Sequence, residues 1–151
     1  MCDKNIINFY YILNNETNTI YIGSTSKCLN KRFQQHKRSY IQYLKNNKSK
    51  GYYSIFDIFE NCTDHKNINI NLIQSCECDK IDKLKKEDEI ISLYRENKLY
   101  NVVNKNKPYD ESKFAFRKAY RDVYKSGSSC KTIIEIDGRL YKISISPISP
   151  I

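Results

Sequence analysis

The residues best suited to chemistry are an arginine, a histidine and a glutamate that two predicted helices turn toward the protein interior. Arg32 and His36 lie on or beside the apolar stripe of a helix predicted over residues 28–45. Glu87 lies within the stripe of a helix predicted over residues 80–95. A buried charge needs an opposite charge, a metal or hydrogen bonds. The plainer interpretations are a satisfied core histidine and a Glu87 that pairs with a surface lysine.

Two tyrosines on a predicted β-hairpin add hydroxyl groups to this set. The hairpin comprises strands near residues 6–13 and 19–24, with the turn-prone residues 14–18 between them. Because side chains alternate along a strand, Tyr10 and Tyr21 are predicted to present their hydroxyls on one side of a small sheet. Tyrosine is also a common strand residue without any further role.

The order and spacing of these residues resemble the GIY-YIG nuclease family. Tyr21-Ile22-Gly23 matches the second half of the name-giving motif, and Arg32 and His36 follow at family spacing. The first half departs from the pattern, because Asn8-Phe9-Tyr10 stands where the family has Gly-Ile-Tyr. The tyrosine is kept, and the missing glycine bears only on a close backbone approach.

Two later residues extend the resemblance to residues 6–104. Glu87 is similar to the family's helical metal-binding glutamate, and Asn101 to an asparagine that follows it. The resemblance implies an α/β (α+β) fold, with a small three-stranded, mainly antiparallel sheet flanked by helices. It also implies a metal-dependent DNA endonuclease of the small free-standing phage, viral or mobile-element type, such as a homing endonuclease. Because a single carboxylate is predicted to face inward, we expect a one-metal site that holds Mg²⁺ or Mn²⁺.

The implied site residues have distinct chemical roles. Arg32 would bind the phosphate oxygens through its guanidinium fork, and Glu87 would bind the metal. Tyr10 is the candidate general base, although a free phenol has a pKa of about 10 and needs a neighbouring cation to ionise. The choice of base among the two tyrosines and the histidine stays open. The implied catalytic residues are Tyr10, Tyr21, Arg32, His36 and Glu87, supported by Gly23 and Asn101.

The charge distribution indicates a polyanionic partner. The chain of 151 residues has a net charge of +9 at pH 7, and residues 17–56 contain no acidic residue. A basic surface of this kind suits nucleic acid, and DNA is the expected partner. The plainer interpretation is a soluble basic surface in a composition that an AT-rich genome favours. The candidate nucleic-acid-binding residues here are Lys31, Lys37 and Arg38.

The spacing of the cysteines and the hydropathy of the chain indicate the cellular compartment. Six cysteines are scattered without a Cys-x-x-Cys pair, and the two histidines lack zinc-ligand spacing, so a structural zinc site is not expected. Apolar runs of membrane-spanning length and a signal segment are both absent, so no membrane association is expected. We expect a cytoplasmic protein with reduced thiols, or one that reaches a host nucleus if the chain is viral.

Two domains are predicted, a nuclease domain over residues 1–104 and an appendage over residues 105–151. The appendage is predicted to contain a basic helix from Asp110 to Lys125 and a β-hairpin around the turn pair Asp137-Gly138. A DNA clamp and a homodimer formed through the hairpin are both open as its role. The candidate DNA-binding residues of the helix are Lys113, Arg117 and Arg121.

The remaining elements are predicted from periodicity and capping residues. A short helix is predicted over residues 53–61, and a strand over residues 68–73. Ser24, Thr25 and Ser26 are candidate N-caps of the first long helix, and Asp79 is the candidate N-cap of the second. The apolar stripe of the first long helix comprises Leu29, Phe33, Tyr40 and Leu44.

Two other functions compete with a free-standing endonuclease. One is a repair or junction-specific nuclease. The missing RING-like cysteine cluster argues against its eukaryotic junction-resolving branch, and the short chain argues against its bacterial excision-repair branch. The other is a catalytically silent nucleic-acid-binding module, which the full set of polar site residues disfavours.

Overall fold

The computed structural model describes residues 5–48, 51–106, 108–110, 130–136 and 139–145. The chain divides into two compact units, Met1–Tyr109 and Asp110–Ile151. This division lies a few residues after the domain boundary predicted at residue 104.

A mixed sheet of four strands lies at the centre of the first unit. The strands are β1 (Asn5–Asn14), β2 (Thr19–Thr25), β3 (Ile68–Cys78) and β4 (Asn101–Val102), in the order β3-β1-β2-β4. β1 is antiparallel to both β2 and β3, whereas β4 is parallel to β2. The α+β fold with flanking helices is confirmed. The short β4 adds a fourth strand to the three predicted ones and pairs with the outer edge of β2.

The β1–β2 hairpin places the two tyrosines as their alternation predicts. In its register Tyr10 lies opposite Gly23, and Ile12 lies opposite Tyr21. Tyr10 and Ile12 are buried on one face of the sheet with Tyr21 beside them, whereas Phe9 and Ile22 are buried on the other.

β3 is longer than the strand predicted over residues 68–73. A register shift pairs Phe9 with Gln74 but Tyr10 with Leu72, so Ile73 is an extra residue on the bulged strand. The bulge interrupts the alternation of side chains between the two faces of the sheet. A prediction made from alternation therefore ends the strand at Ile73, before its observed end at Cys78.

Three helices flank the sheet: α1 (Leu29–Lys45), α2 (Phe56–Glu60) and α3 (Lys80–Asn97). Asp79 caps α3 as predicted, since its side chain accepts from the backbone N–H groups of Ile81 and Asp82. The caps predicted for α1 are wrong, because β2 continues through Thr25 and the N-cap is Cys28, which makes no side-chain cap. α2 begins at Phe56, later than predicted.

Each face of the sheet has its own hydrophobic core. α1 and α2 cover the face with Tyr10 and Ile12, and α3 covers the opposite face through Ile90 and Ile91. The predicted stripe of α1 is wrong in its last member, since Leu44 is 42% exposed and Tyr43 is buried instead.

The second unit contains an antiparallel hairpin of β5 (Cys130–Ile136) and β6 (Arg139–Ile145). Ile136 lies opposite Arg139, so the predicted two-residue connection is confirmed. The helix predicted over residues 110–125, with Lys113, Arg117 and Arg121, lies outside the described residues apart from its first residue. Across the described parts of both units, no helix is long and apolar enough to cross a membrane.

Candidate active site

The Tyr10 hydroxyl, on β1, contacts two side chains of α1. It lies 2.8 Å from Nε2 of His36 and accepts a hydrogen bond from Nε of Arg32 at 3.1 Å. Arg32 and His36 are one helical turn apart on α1, so both side chains reach the same face of the sheet. The structure therefore brings together three residues that lie 22 and 26 positions apart in sequence.

The protonation states follow from this geometry. Burial, with a smaller effect of the Arg32 charge, lowers the pKa of His36 to about 4, so the ring is neutral at neutral pH. Burial also raises the pKa of Tyr10, and the opposing effect of Arg32 is smaller. The phenol therefore keeps its proton. In the tautomer with the imidazole proton on Nδ1, the phenol donates its hydrogen bond to Nε2 of His36.

Gly23 makes room for the Tyr10 ring. A Cβ atom at position 23 would lie 2.7 Å from the Tyr10 hydroxyl oxygen, 2.8 Å from Cζ of the same ring and 3.1 Å from Cε1 of Tyr21. The two distances to Tyr10 are shorter than the contacts that packed side chains tolerate, and the distance to Tyr21 would require a small shift of that ring. The glycine of the Tyr-Ile-Gly run is thus required by a close side-chain approach.

Arg32 places one positive charge beside all the titratable groups of the site. Its charge lowers the pKa values of Tyr10, His36 and Glu87. Burial has the larger effect in each case: it raises the pKa of Tyr10 and Glu87 and lowers that of His36. A second N–H group of Arg32, on Nη1, donates to Oε1 of Gln35 at 2.9 Å. Gln35 was not predicted as a site residue; its spacing three residues after Arg32 on a helix was the available signal.

Glu87 comes from α3 and reaches β2. One of its carboxylate oxygens accepts a short hydrogen bond from the hydroxyl of Ser24. Burial raises the pKa of Glu87, whereas Ser24, Lys83 and Arg32 act in the opposite direction. Of the neighbouring acids, Glu89 is exposed and Asp88 is half-buried. Ser24, predicted only as a helix cap, is instead the hydrogen-bond donor that orients this carboxylate.

An open pocket of about 370 Å³ joins Glu87 to the second tyrosine. Tyr21 and Glu87 both line it, and the Glu87 charge contributes to raising the pKa of Tyr21, after burial and Tyr10. Tyr21 is thus a protonated hydroxyl at neutral pH. Tyr52 and Tyr53 line the pocket as well. The Tyr10 hydroxyl is not part of its lining but lies near the Tyr21 ring, since both approach the Cβ position of residue 23.

A single Mg²⁺ or Mn²⁺ ion fits this donor set. Mg²⁺ is bound in enzymes by one or two carboxylates, retains several waters and takes further oxygens from a phosphate. Glu87 provides one carboxylate on an open pocket. Among the described residues, no group of three or more His, Cys, Asp and Glu side chains converges on one point. The residues thus suit a hydrated ion completed by substrate oxygens and do not form an all-protein cage.

Asn101 does not join the site. Its side chain is exposed, and its backbone N–H donates to Asn18 at the far end of β2. Asn104 is the buried asparagine: its side chain accepts from the N–H of Ile22 at 2.8 Å and donates to the carbonyl of Ile22 at 2.7 Å. The carboxamide thereby replaces a strand neighbour for β2. The sequence signal was a second asparagine in Asn101-Val102-Val103-Asn104.

The predicted basic residues of α1 have different surroundings. Lys31 and Arg38 are exposed and line a wide, open groove of about 910 Å³ together with Lys27. Lys37 is half-buried, and its ammonium lies 4.3 Å from the ring centroid of Phe33. The groove is thus a wide, open concavity lined by three cations.

Comparisons with known proteins agree with this architecture. The family model described as the GIY-YIG catalytic domain matches residues 7–107. No curated protein and no solved structure matches the chain. The matched residues include every candidate site residue of the first unit, from Tyr10 to Asn104.

Proposed function

The chain belongs to the GIY-YIG family, whose nucleases act on DNA, and from this premise we propose that it is a metal-dependent DNA endonuclease that hydrolyses phosphodiester bonds with one divalent ion. The observation that supports this best is the Tyr10 hydroxyl between Arg32 and His36, beside the pocket that holds Glu87. A merely structural tyrosine would not need a partly buried arginine and a neutral histidine as partners.

Water activation is assigned to Tyr10 and His36 acting together. Because burial raises its pKa, the Tyr10 phenol keeps its proton at neutral pH, and a protonated phenol is a very weak base on its own. His36 is neutral, and in the tautomer with its proton on Nδ1 its Nε2 accepts the hydrogen bond of the phenol. As water gives a proton to the Tyr10 oxygen, Tyr10 passes its own proton to Nε2 of His36. The water oxygen then attacks phosphorus, and the bond to the leaving oxygen breaks. The leaving oxygen takes a proton from solvent, and His36, whose pKa is about 4, releases the proton of the attacking water to solvent.

Arg32 stabilises the charge that develops on phosphorus. A guanidinium has five N–H groups, and the contacts with Tyr10 and Gln35 use two of them. The remaining donor capacity and the fixed positive charge suit the phosphate oxygens. Tyr21 keeps its proton and can donate a hydrogen bond to a phosphate oxygen or to the attacking water.

Glu87, oriented by Ser24, is the residue that would hold the metal. When bound, the ion would supply Lewis-acid polarisation of the phosphate and a lowered pKa of its coordinated water. Ionised Glu87 also opposes loss of the Tyr10 proton, because its charge contributes to raising the Tyr10 pKa.

DNA binding is assigned to the exposed face of α1. Lys31 and Arg38 lie on the same helix as Arg32 and on the wide groove described above. Lysines and arginines on such a surface contact phosphates and carry little sequence information.

The hairpin of the second unit remains a candidate dimer interface, and light scattering of the full chain tests it.

The decisive test is cleavage of supercoiled plasmid by the full-length protein. We expect nicked or linear product with Mg²⁺ or Mn²⁺ and none with EDTA. Cleavage that continues in EDTA would contradict the metal requirement. DNA binding without cleavage under any metal would favour the silent module.

A further inference from the structure

The active-site pocket has an aromatic rim that the proposed chemistry does not use. Tyr52 and Tyr53, from the α1–α2 connection, line the pocket with Glu87 and Tyr21. Tyr53 is 61% exposed and Tyr52 is 41% exposed, whereas the other aromatic side chains nearby, Tyr40, Tyr43, Phe56 and Phe59, are at most 8% exposed. A tyrosine so exposed beside a catalytic carboxylate is available for a ligand.

Tyr52 is already engaged on its ring and its hydroxyl. The Lys105 ammonium lies 4.7 Å from its ring centroid, and its hydroxyl bonds to the Asp57 carboxylate. Its ring also makes edge contacts with Tyr43 and Phe56. Tyr52 therefore supports the rim and does not itself offer a ring face to a ligand.

Tyr53 is anchored at its backbone and open at its ring. Its carbonyl accepts the Phe56 N–H at 2.8 Å, and its ring makes a perpendicular contact with Phe56, with the centroids 5.5 Å apart. The neighbouring Ser54 hydroxyl accepts the Lys105 N–H at 3.2 Å, which ties this segment to the one after β4. A tyrosine side chain has only two rotatable bonds, so it loses little conformational entropy when a ligand packs on it.

The position of Tyr53 connects the catalytic pocket with the basic surface. The same side chain lines the pocket that contains Glu87 and a second open pocket that contains Arg38. Lys105, which pairs with Asp57 at 3.1 Å and is 62% exposed at its side chain, adds an ammonium group to the first of these pockets. An anionic backbone that passes from Arg38 to Glu87 would cross Tyr53.

We propose that Tyr53 is a stacking platform for one unpaired nucleobase next to the cleaved phosphodiester, so that the preferred substrate is DNA with an unpaired nucleotide at the cleavage site. This inference rests on the proposed nuclease function and narrows its substrate class. Every base has a π-face, and stacking on an aromatic side chain is largely independent of sequence. Bases inside a duplex have both faces covered, so only a base outside the stack reaches Tyr53.

The test measures binding of the full-length protein to three DNA duplexes in EDTA, where no cleavage occurs. The first duplex is fully paired, the second has one unpaired nucleotide, and the third has the same unpaired position without a base. The abasic duplex separates stacking from the flexibility of a bulge. Fluorescence anisotropy with Tyr53→Ala, Tyr53→Phe and the exposed-site control Leu93→Ala completes the set; Leu93 is 62% exposed on α3.

We expect the wild-type protein to bind the unpaired base about tenfold more tightly than the abasic duplex, within the range for one stacked base. Tyr53→Phe should retain this preference, because it keeps the ring, and Leu93→Ala should leave it unchanged. Tyr53→Ala should abolish it while changing affinity for paired DNA less than twofold. A preference that persists in Tyr53→Ala, an equal loss on all three duplexes, or no preference in the wild type would overturn the proposal.

Cleavage of the same duplexes in Mg²⁺ separates this proposal from the proposed function. Cuts next to the unpaired nucleotide, made more slowly by Tyr53→Ala, would support both. Cleavage without any base preference would overturn the stacking platform alone. A Tyr53-dependent base preference with no cleavage in any metal would support the platform and overturn the nuclease assignment.

Discussion

The Tyr10 ring crosses directly over Gly23, with its hydroxyl oxygen 2.7 Å from the position that a Cβ at residue 23 would occupy. Tyr10 is fully buried, so the ring has no free space into which it could retreat. The glycine of the Tyr-Ile-Gly run thus sets the position of a hydroxyl on the neighbouring strand.

Gly23→Ala should displace the Tyr10 hydroxyl from Arg32 and His36 and lower kcat by roughly a hundredfold, since misplacing a catalytic group by about 1 Å costs that much. The measurement is single-turnover cleavage, with circular dichroism to confirm the fold. If the effect acts through the hydroxyl, Gly23→Ala should cost little more in a Tyr10→Phe background. Additive losses in this double-mutant cycle would contradict that route.

Glu87→Gln should abolish metal-dependent cleavage and leave DNA affinity nearly unchanged, because it removes the metal ligand and not the basic surface. Asp88→Asn is the matched control, since Asp88 is the next carboxylate on α3 and is half-buried like Glu87. Mn²⁺ titration calorimetry checks the loss of the ion directly. If Asp88→Asn is inactive and Glu87→Gln is active, the metal ligand is Asp88 and not Glu87.

Arg32→Ala should reduce the cleavage rate by roughly a hundredfold or more, as other transition-state charge stabilisers do. Arg32→Lys should recover little of it, because an ammonium cannot reproduce the bond from Nε to Tyr10 together with the bond to Gln35. Lys45→Ala removes an exposed cation from the last turn of the same helix and controls for net charge. Near-wild-type rates for Arg32→Lys would show that charge alone suffices.

His36 should make the fold sensitive to acid. Its pKa is about 4 in the folded protein and 6.5 in the reference state, so the unfolded chain binds a proton that the folded chain does not. The contribution of His36 to the free energy of unfolding is fully present above pH 6.5. It is lost as the pH falls from 6.5 toward 4, and the total loss is about 3 kcal/mol. Urea unfolding across this window should show a shallower pH dependence for His36→Gln. His65→Gln, which removes the exposed second histidine, should keep the wild-type slope.

Asn104→Ala should destabilise the fold by about 1–3 kcal/mol, because the buried N–H and carbonyl of Ile22 both lose their partner. Asn101→Ala should change stability by less than about 0.5 kcal/mol, since the Asn101 side chain is exposed. Urea midpoints of the two variants provide the comparison. Equal effects would argue against the strand-replacing role of Asn104.

The sequence by itself determined the residues that alternation and helical periodicity control. Alternation in the first hairpin placed Tyr10 and Tyr21 on one face, and the helical wheel turned Arg32, His36 and Glu87 inward, because both patterns depend only on local backbone geometry. Asp79 was recognisable as an N-cap for the same reason.

Only the tertiary structure decided the contacts between elements that are distant in sequence. The bond between Ser24 and Glu87, 63 positions apart, and the pairing of Asn104 with Ile22, 82 positions apart, depend on how α3 and β4 pack on β2. The bulge at Ile73 likewise arises from pairing with β1 and has no local signature. Local periodicity states which way a side chain points, whereas the partner it meets is set by packing across the sheet.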